Sequence, residues 1–441
     1  MKYLLSLLCC LIWLSVRAQD IQRKAILGIV GRYTINGVVA DSVVPSSTLA
    51  VIGLQKGDTL QYVNGQKLTD AASLNKVAAS IRANDKVTII YNRLGKDKST
   101  TGKAVMRPYE TSPIADVLYD WVTYKDCKLR TITRKPKRMN NVPAVLLIPG
   151  YNCGSIENFS SGIYKHLINE WLQAGYAVVT IEKSGLGDSY NCLPCSEADL
   201  VTDIQVFDAG YKYIEALPFV DKTNLFIWGH SMGGIIAPEI AKLHKPKGVM
   251  VFATVFRPWS EFLLEMHRVQ YPLDGKSYAE TETFIRGMQK IYYEFFRLKK
   301  SPEELYQNPE YSSLVASELE YKAGDNNMWG RHWRFWQQID SLDMAASWAA
   351  VDCPVLSVFG GADYIACSLL EHQLIERTVN ASHPNNCTHI TIPDVDHLIV
   401  QQPDWQTAHK NFSNVAYRNS HFHFGFAKTC IEWMDKVRAK K

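Results

Sequence analysis

The stretch from Asn224 to Ile240 constrains this chain more than any other. A short apolar run, Leu225 to Trp228, predicts a buried strand. It ends in Gly229-His230-Ser231-Met232-Gly233, followed by Gly234, after which Ile235, Ile236 and Ile240 recur at helical spacing. The reading is strand, sharp turn, helix, with a serine at the apex and glycines where a side chain would block the turn. With Gly and Ser each near 7% of residues, Gly-x-Ser-x-Gly arises by chance in about one chain in seven of this length, so the flanking strand and helix carry the argument. A serine hydroxyl is a weak nucleophile until a base takes its proton, which directs the search to an acid and a histidine elsewhere.

That context resembles the nucleophile elbow of the α/β-hydrolase superfamily, and the chain downstream offers the remaining parts in the order the superfamily uses. Val355 to Phe359 predicts a strand ending in Gly360-Gly361-Ala362-Asp363. Its carboxylate would stand on the same sheet edge as Ser231. The stretch Ile390 to His397, Ile-Thr-Ile-Pro-Asp-Val-Asp-His, then supplies a histidine. The resemblance assigns Ser231 as nucleophile, His397 as base and Asp363 as the acid that orients it. Asp396 is adjacent to His397 and therefore points away from it in an extended loop, Asp394 suits bracing the loop, and His421 and His423 lack a strand-end context. His230, inside the elbow, reads as a packing residue.

Val142 to Ile148 predicts a buried strand running into Pro149-Gly150-Tyr151-Asn152-Cys153-Gly154. A loop at this place supplies one oxyanion N–H in the superfamily; here it falls on Tyr151, with Asn152 the neighbouring alternative and the Met232 N–H as partner donor. Glu182 to Ser189 resembles the family's D-x-R-G-x-G-x-S loop, with Glu182 and Lys183 in place of the usual residues and Asp188 and Ser189 as braces. Between Val255 and Ala350 the β-α rhythm stops, and a helical, aromatic segment containing Trp259, Phe262, Trp329 and Trp336 reads as a cap over an acyl or aromatic pocket.

The first hundred residues are of another kind. Met1 to Ala18 has Lys2, an apolar core from Tyr3 to Val16 and a small residue at its end, which reads as a secretory signal with Gln19 as the new terminus. Removing it lowers the net charge from +4 to +2, too small to argue for nucleic acid. No later stretch is as apolar, so no stable membrane span is expected after cleavage, and the localisation implied is secreted or periplasmic. Residues 19–108 resemble a PDZ domain, most specifically in the run from Gly53 to Gly65, G-L-x-x-G-D-x-L-x-x-V-N-G. An amphipathic segment, Ala71 to Arg82, puts Leu74, Val77, Ala78 and Ile81 on one face, and a strand from Lys86 to Tyr91 closes the unit. The resemblance implies that the N–H groups of Leu27, Gly28 and Ile29 receive a peptide's terminal carboxylate, the peptide adding as a strand; the alternative is a module that only packs against the enzyme. The Arg134 to Arg138 cluster reads as a solvated hairpin end.

Eight cysteines remain after the leader, an even number that suits an exported, disulfide-bearing chain. Cys192-Leu-Pro-Cys195 has the spacing of a redox or metal pair but neither context, and reads as a local staple or a bridge to Cys153.

The fold class expected is α/β: a mostly parallel, doubly wound sheet over residues 110–441 with a helical cap at about 255–350, plus an N-terminal PDZ-like β-barrel. The function implied is that of a serine hydrolase acting on a small ester or peptide substrate, a carboxylic ester first, with no cofactor and no metal. A serine aminopeptidase-like peptidase is the first alternative; it needs an acidic anchor for a free amine, for which Glu182 or a cap glutamate is available. A peptide-binding PDZ protein with a vestigial hydrolase site is the second.

Overall fold

The computed structural model describes residues 21–157 and 162–440, so the secretory signal expected at Met1 to Ala18 lies outside the described residues. The chain forms two compact units that divide between Glu110 and Thr111.

The first unit is an antiparallel sheet of β1 (Ile29–Thr34), β2 (Gly37–Val43), β3 (Thr59–Val63), β4 (Gln66–Lys67), β5 (Lys86–Arg93) and β6 (Lys96–Lys103), with helices α1 (Thr48–Val51) and α2 (Ala71–Ser80). The strand order is β1-β2-β3-β5-β6, and β4 pairs with β3. Asp70 caps α2 by accepting the Ser73 N–H at 2.8 Å, and the buried face of this segment presents Val77 and Ile81 to a core containing Leu60, Val63, Val87 and Ile89. The sequence reading closed the unit at Tyr91, whereas the chain runs on to Arg93 and returns as β6 through Leu94 and Gly95, both at positive φ. The β6 sequence Lys-Asp-Lys-Ser-Thr-Thr-Gly-Lys is exposed or half-buried throughout, so it shows no alternation of apolar and polar residues to reveal a strand.

The second unit is built on eight strands: β7 (Ala115–Tyr124), β8 (Cys127–Pro136), β9 (Val142–Ile148), β10 (Ala177–Ile181), β11 (Val220–His230), β12 (Gly248–Phe252), and, beyond a separate hairpin of β13 (Asn327–Met328) and β14 (Arg331–His332), β15 (Val355–Gly360) and β16 (Cys387–Ile392). Their order is β7-β8-β10-β9-β11-β12-β15-β16. β8 pairs antiparallel with β7 and β10, and every later pair is parallel. Helices cover both faces, so β9, β10 and β12 are apolar and buried along their length rather than alternating. α3 (Ile163–Gln173) and the C-terminal helix Phe424–Ala439 cover one face; α4 (Leu200–Ala216) and α5 (Met232–His244) cover the other. Parallel strands place the carboxyl ends of β9, β10, β11, β15 and β16 on one edge, where ligands bind in open α/β sheets.

The insertion between β12 and β15 holds α6 (Trp259–Leu273), α7 (Tyr278–Tyr292) and further helices to Ala349. Among the described residues, the β13–β14 hairpin is its non-helical element. Two sequence expectations need correcting. Arg134 is not in a solvated turn: it lies buried in β8 and donates to the Thr180 hydroxyl at 3.1 Å. Of the two readings of Cys192-Leu-Pro-Cys195, the local staple fails and the bridge to Cys153 holds: Cys195 pairs with Cys153 and Cys192 with Cys127, while Cys353, Cys367, Cys387 and Cys430 are free and buried.

Candidate active site

Ser231 sits between β11 and α5 at φ 55° and ψ −123°, a backbone conformation outside the regions L-residues favour, which costs about 1–3 kcal/mol. Its own N–H is held by the carbonyl of Phe252 at 2.9 Å. The turn closes only because its neighbours lack side chains. A Cβ on Gly229 would lie 2.5 Å from the Gly233 carbonyl oxygen, and one on Gly233 would lie 2.1 Å from that of Ile148.

Asp363 is fully buried in the turn after β15. One carboxylate oxygen accepts the N–H groups of Ile365 and Ala366, both at 2.9 Å, and the other lies 2.9 Å from Nδ1 of His397. A carboxylate only accepts, so Nδ1 carries the proton and Nε2 keeps its lone pair, the tautomer a general base needs. Burial works to lower the His397 pKa, but the charge and hydrogen bond of Asp363, with the charge of Asp396, outweigh it and leave His397 above its ordinary 6.5.

The loop carrying His397 is fixed by neighbours with other duties. Asp396 accepts the N–H groups of Leu398 and Val400 at 2.8 and 2.9 Å, and its burial raises its pKa. Asp394 accepts from the Gln401 amide at 2.9 Å and lies 3.3 Å from Nε2 of His423, while His421 stacks on Tyr417. His230 does more than pack. Its Nε2 donates to the backbone carbonyl of His397 at 2.8 Å, so its Nδ1 accepts from the Tyr164 hydroxyl at 2.5 Å. Burial and the nearby charge of His397 push His230 down to about 3, which keeps it neutral. The elbow and the histidine loop are thus tied together beneath the site.

The loop after β9 completes the edge. Gly150 approaches so closely that a Cβ there would be 3.7 Å from the Ser231 hydroxyl. Met232 is the first residue of α5, where a backbone N–H has no acceptor within the helix. Lys183, at the end of β10, donates to the carbonyls of Gly150 and, at 3.1 Å, Asn152. Arg331 of β14 donates to the Tyr151 carbonyl at 2.9 Å and pairs with Asp203 at 3.0 Å. Glu182 is buried and accepts from the Ser155 hydroxyl at 2.5 Å and the Ile156 N–H at 3.2 Å, which commits it to loop structure and removes it as an amine anchor. Asp188 pairs with Arg130 at 3.3 Å, and the Ser189 hydroxyl accepts the Arg130 N–H at 3.0 Å.

A cavity of about 620 Å³ opens over this edge. Tyr151, Asn152, Ser231, Met232 and His397 line its floor, and Trp259, Phe262, Leu263, Met266, Trp329 and Trp336 from the insertion form its roof. Asp363 stands behind His397, outside the lining. Glu318 and Glu320 also reach the cavity wall. The sequence reading did not find Tyr164, Lys183 or Arg331 as parts of this edge. Lys183 stands two residues past a buried strand end, a signal available in the sequence; Arg331 arrives from an insertion whose folding no motif announces.

The first unit carries the other expected site. Leu27 is buried, and Gly28 has φ +80°, with space for no side chain: a Cβ would meet that of Ser47 at 2.1 Å. The carbonyls of Ile26, Leu27 and Gly28 accept from Thr48, Leu49 and Val44 at 2.9, 3.1 and 2.8 Å. A trans peptide points its N–H opposite its carbonyl, so the N–H groups of Leu27, Gly28 and Ile29 face away from these partners.

Residues 143–404, more than half of the chain, match the family described as serine aminopeptidase, S33. The chain belongs to this hydrolase family. A thiohydrolase from Eupenicillium brefeldianum is 29% identical over 103 residues, 23% of this chain and 32% of that protein. A probable periplasmic serine endoprotease DegP-like from Marinomonas sp. (strain MWYL1) is 27% identical over 108 residues, 24% of this chain and 23% of that protein. The chain therefore spans about a third or less of the length of these curated relatives. Among solved structures, Est1E from Butyrivibrio proteoclasticus with bound ferulic acid is 18% identical, with a TM-score of 0.47 over 73% of this chain and 99% of that one.

Proposed function

We propose that this S33-family chain is an exported serine hydrolase of carboxylic esters. The observation that carries the reading is the 2.9 Å bond from Asp363 to Nδ1 of His397, with His397 and Ser231 lining one cavity. In the proposed reaction Ser231 attacks the ester carbonyl while Nε2 of His397 takes its proton. Asp363 holds the tautomer and stabilises the cation that forms. The N–H groups of Tyr151 and Met232 receive the oxyanion. His397 then protonates the leaving alcohol, and water repeats the cycle on the acyl-enzyme. Purified protein is expected to hydrolyse a short-chain nitrophenyl ester, and Ser231→Ala to abolish this.

A second reading, aminopeptidase action, is favoured by one observation: Glu318 and Glu320 stand in the cavity wall, where a carboxylate suits a substrate's free amine. Comparing the nitrophenyl ester with an aminoacyl anilide separates the two, since a peptidase would prefer the anilide. Export rests on the composition of Met1 to Ala18 and is supported by two disulfides, which persist in oxidising compartments. Mass measurement of the mature chain tests it, with Gln19 expected first.

For residues 19–108 we propose a PDZ-like module that takes a peptide's terminal carboxylate on the N–H groups of Leu27, Gly28 and Ile29, the peptide pairing with β1. The outward-facing N–H groups and the position of β1 at the sheet edge support it. Titration with a library of free and amidated C-terminal peptides tests it: amidation is expected to abolish binding.

A further inference from the structure

Three successive carbonyls of the loop after β9 are each held by a buried cation. Gly150 and Asn152 bond Lys183, and Tyr151 between them bonds Arg331. Lys183 is 2% exposed and Arg331 is not exposed at all, so water does not compete for these carbonyls. The two cations reach the loop from opposite parts of the unit. Lys183 rises from the end of β10, and Arg331 descends from the insertion, where the Phe335 ring lies 4.0 Å beneath its guanidinium. Asp203 of α4 bonds Arg331 at 3.0 Å and stands near Lys183, so one carboxylate faces two cations. Burial pushes Lys183 down to about 7 against the attraction of Asp203. The ring of Tyr151 also packs edge-on against Trp336 of the insertion at 5.4 Å.

A carbonyl's direction fixes that of the next N–H, because the peptide is planar and trans. Turning the Gly150 carbonyl to Lys183 turns the Tyr151 N–H the other way, and turning the Tyr151 carbonyl to Arg331 does the same for Asn152. We propose that Lys183 and Arg331 are positioning residues for the oxyanion hole: Lys183 aims the Tyr151 N–H, and Arg331, supplied by the cap, fixes the following peptide and so holds Tyr151 from its other side. This rests on the ester-hydrolase reading above. It makes the cap part of the chemistry as well as the roof of the pocket.

The full-length mature chain serves for the test, with Lys183→Met, Lys183→Gln, Arg331→Met and the conservative Arg331→Lys. Steady-state hydrolysis of nitrophenyl acetate is compared with binding of a trifluoromethyl ketone. In that adduct the Ser231 oxygen bonds the ketone carbon, the carbonyl π pair moves to oxygen as the oxyanion, and the serine proton passes to His397. Both methionine variants are expected to lower kcat by about 10–100-fold while KM stays within about threefold. Ketone affinity should fall in parallel with kcat/KM. Arg331→Lys should recover part of the loss, and Lys183→Gln, which keeps a donor but no charge, should lie between wild type and Lys183→Met. Folded variants with unchanged kcat, a rise in KM alone, or lowered kcat with undiminished ketone affinity each overturn the proposal. So does global unfolding by all four variants, which marks a purely structural pair. Ser231→Ala keeps the two claims apart: if it retains activity, the triad reading fails; if it is inactive and Lys183→Met is not slowed, the clamp alone fails.

Discussion

The two walls of the cavity are built on different principles. The floor is made of strand ends, and each functional group there is fixed by short polar contacts: Asp363 by two backbone N–H groups, His397 by Asp363 and His230, the Gly150–Asn152 carbonyls by Lys183 and Arg331. The roof is a face of rings, with Trp259 stacked 5.6 Å from Trp336 and Trp329 edge-on to Trp336 at 5.1 Å. Directional bonds suit a wall that must hold reacting atoms to a fraction of an ångström; apolar contact suits one that recognises an acyl group by shape. Arg331 is where the two meet.

If that division is right, changes to the floor cost rate and changes to the roof cost selectivity. Ser231→Ala is expected to lower ester hydrolysis by about 10³-fold or more without changing the thermal midpoint, as read by nitrophenyl acetate turnover and circular dichroism. Asp363→Asn should lower kcat by about 10²–10⁴-fold and also move the pH profile. The base works when neutral, and Asp363 holds His397 above 6.5, so the wild-type rate should climb with pH through a midpoint above 6.5. Without that carboxylate, only the charge of Asp396 opposes burial, and the midpoint should fall. Replacing Cys153 and Cys195 together by serine should cost about 2–4 kcal/mol in a denaturant melt, since the bridge closes a span of 42 residues from the loop after β9. Trp259→Ala is the mildest change: KM for aromatic-acyl esters should rise about tenfold and KM for the acetate ester should hold. Equal effects on both esters would erase the distinction between the walls.

The same division explains what could be read from the sequence. Ser231 and Asp363 each follow an apolar strand, so a period and a terminus announce them before any coordinate is known, and His397, after the mixed strand β16, is announced by its place third in the chain order. The central strands are legible for the same reason, being buried on both faces. β6 is hidden by its uniformly polar sequence, and the pairing of Cys192 with Cys127 by the fact that pairing depends on which loops the fold brings together; the bridge to Cys153 was one of the two readings the sequence offered. Arg331 belongs to a two-residue strand in a segment with no regular period, and its bond to Tyr151 spans 180 residues. The role of His230 was obscured by its neighbour: beside a nucleophile, a histidine with no visible partner reads as packing, and its partners, Tyr164 and the His397 carbonyl, lie 66 and 167 residues away.

The triad is tested most directly by reaction with a fluorophosphonate, which labels a serine only where a base has activated it, followed by peptide mass mapping. One phosphonate on the peptide carrying Ser231 is the result expected, absent in Ser231→Ala and much slowed in His397→Ala. Labelling at another residue, or equal labelling in His397→Ala, would contradict the assignment of Ser231 and His397 as nucleophile and base.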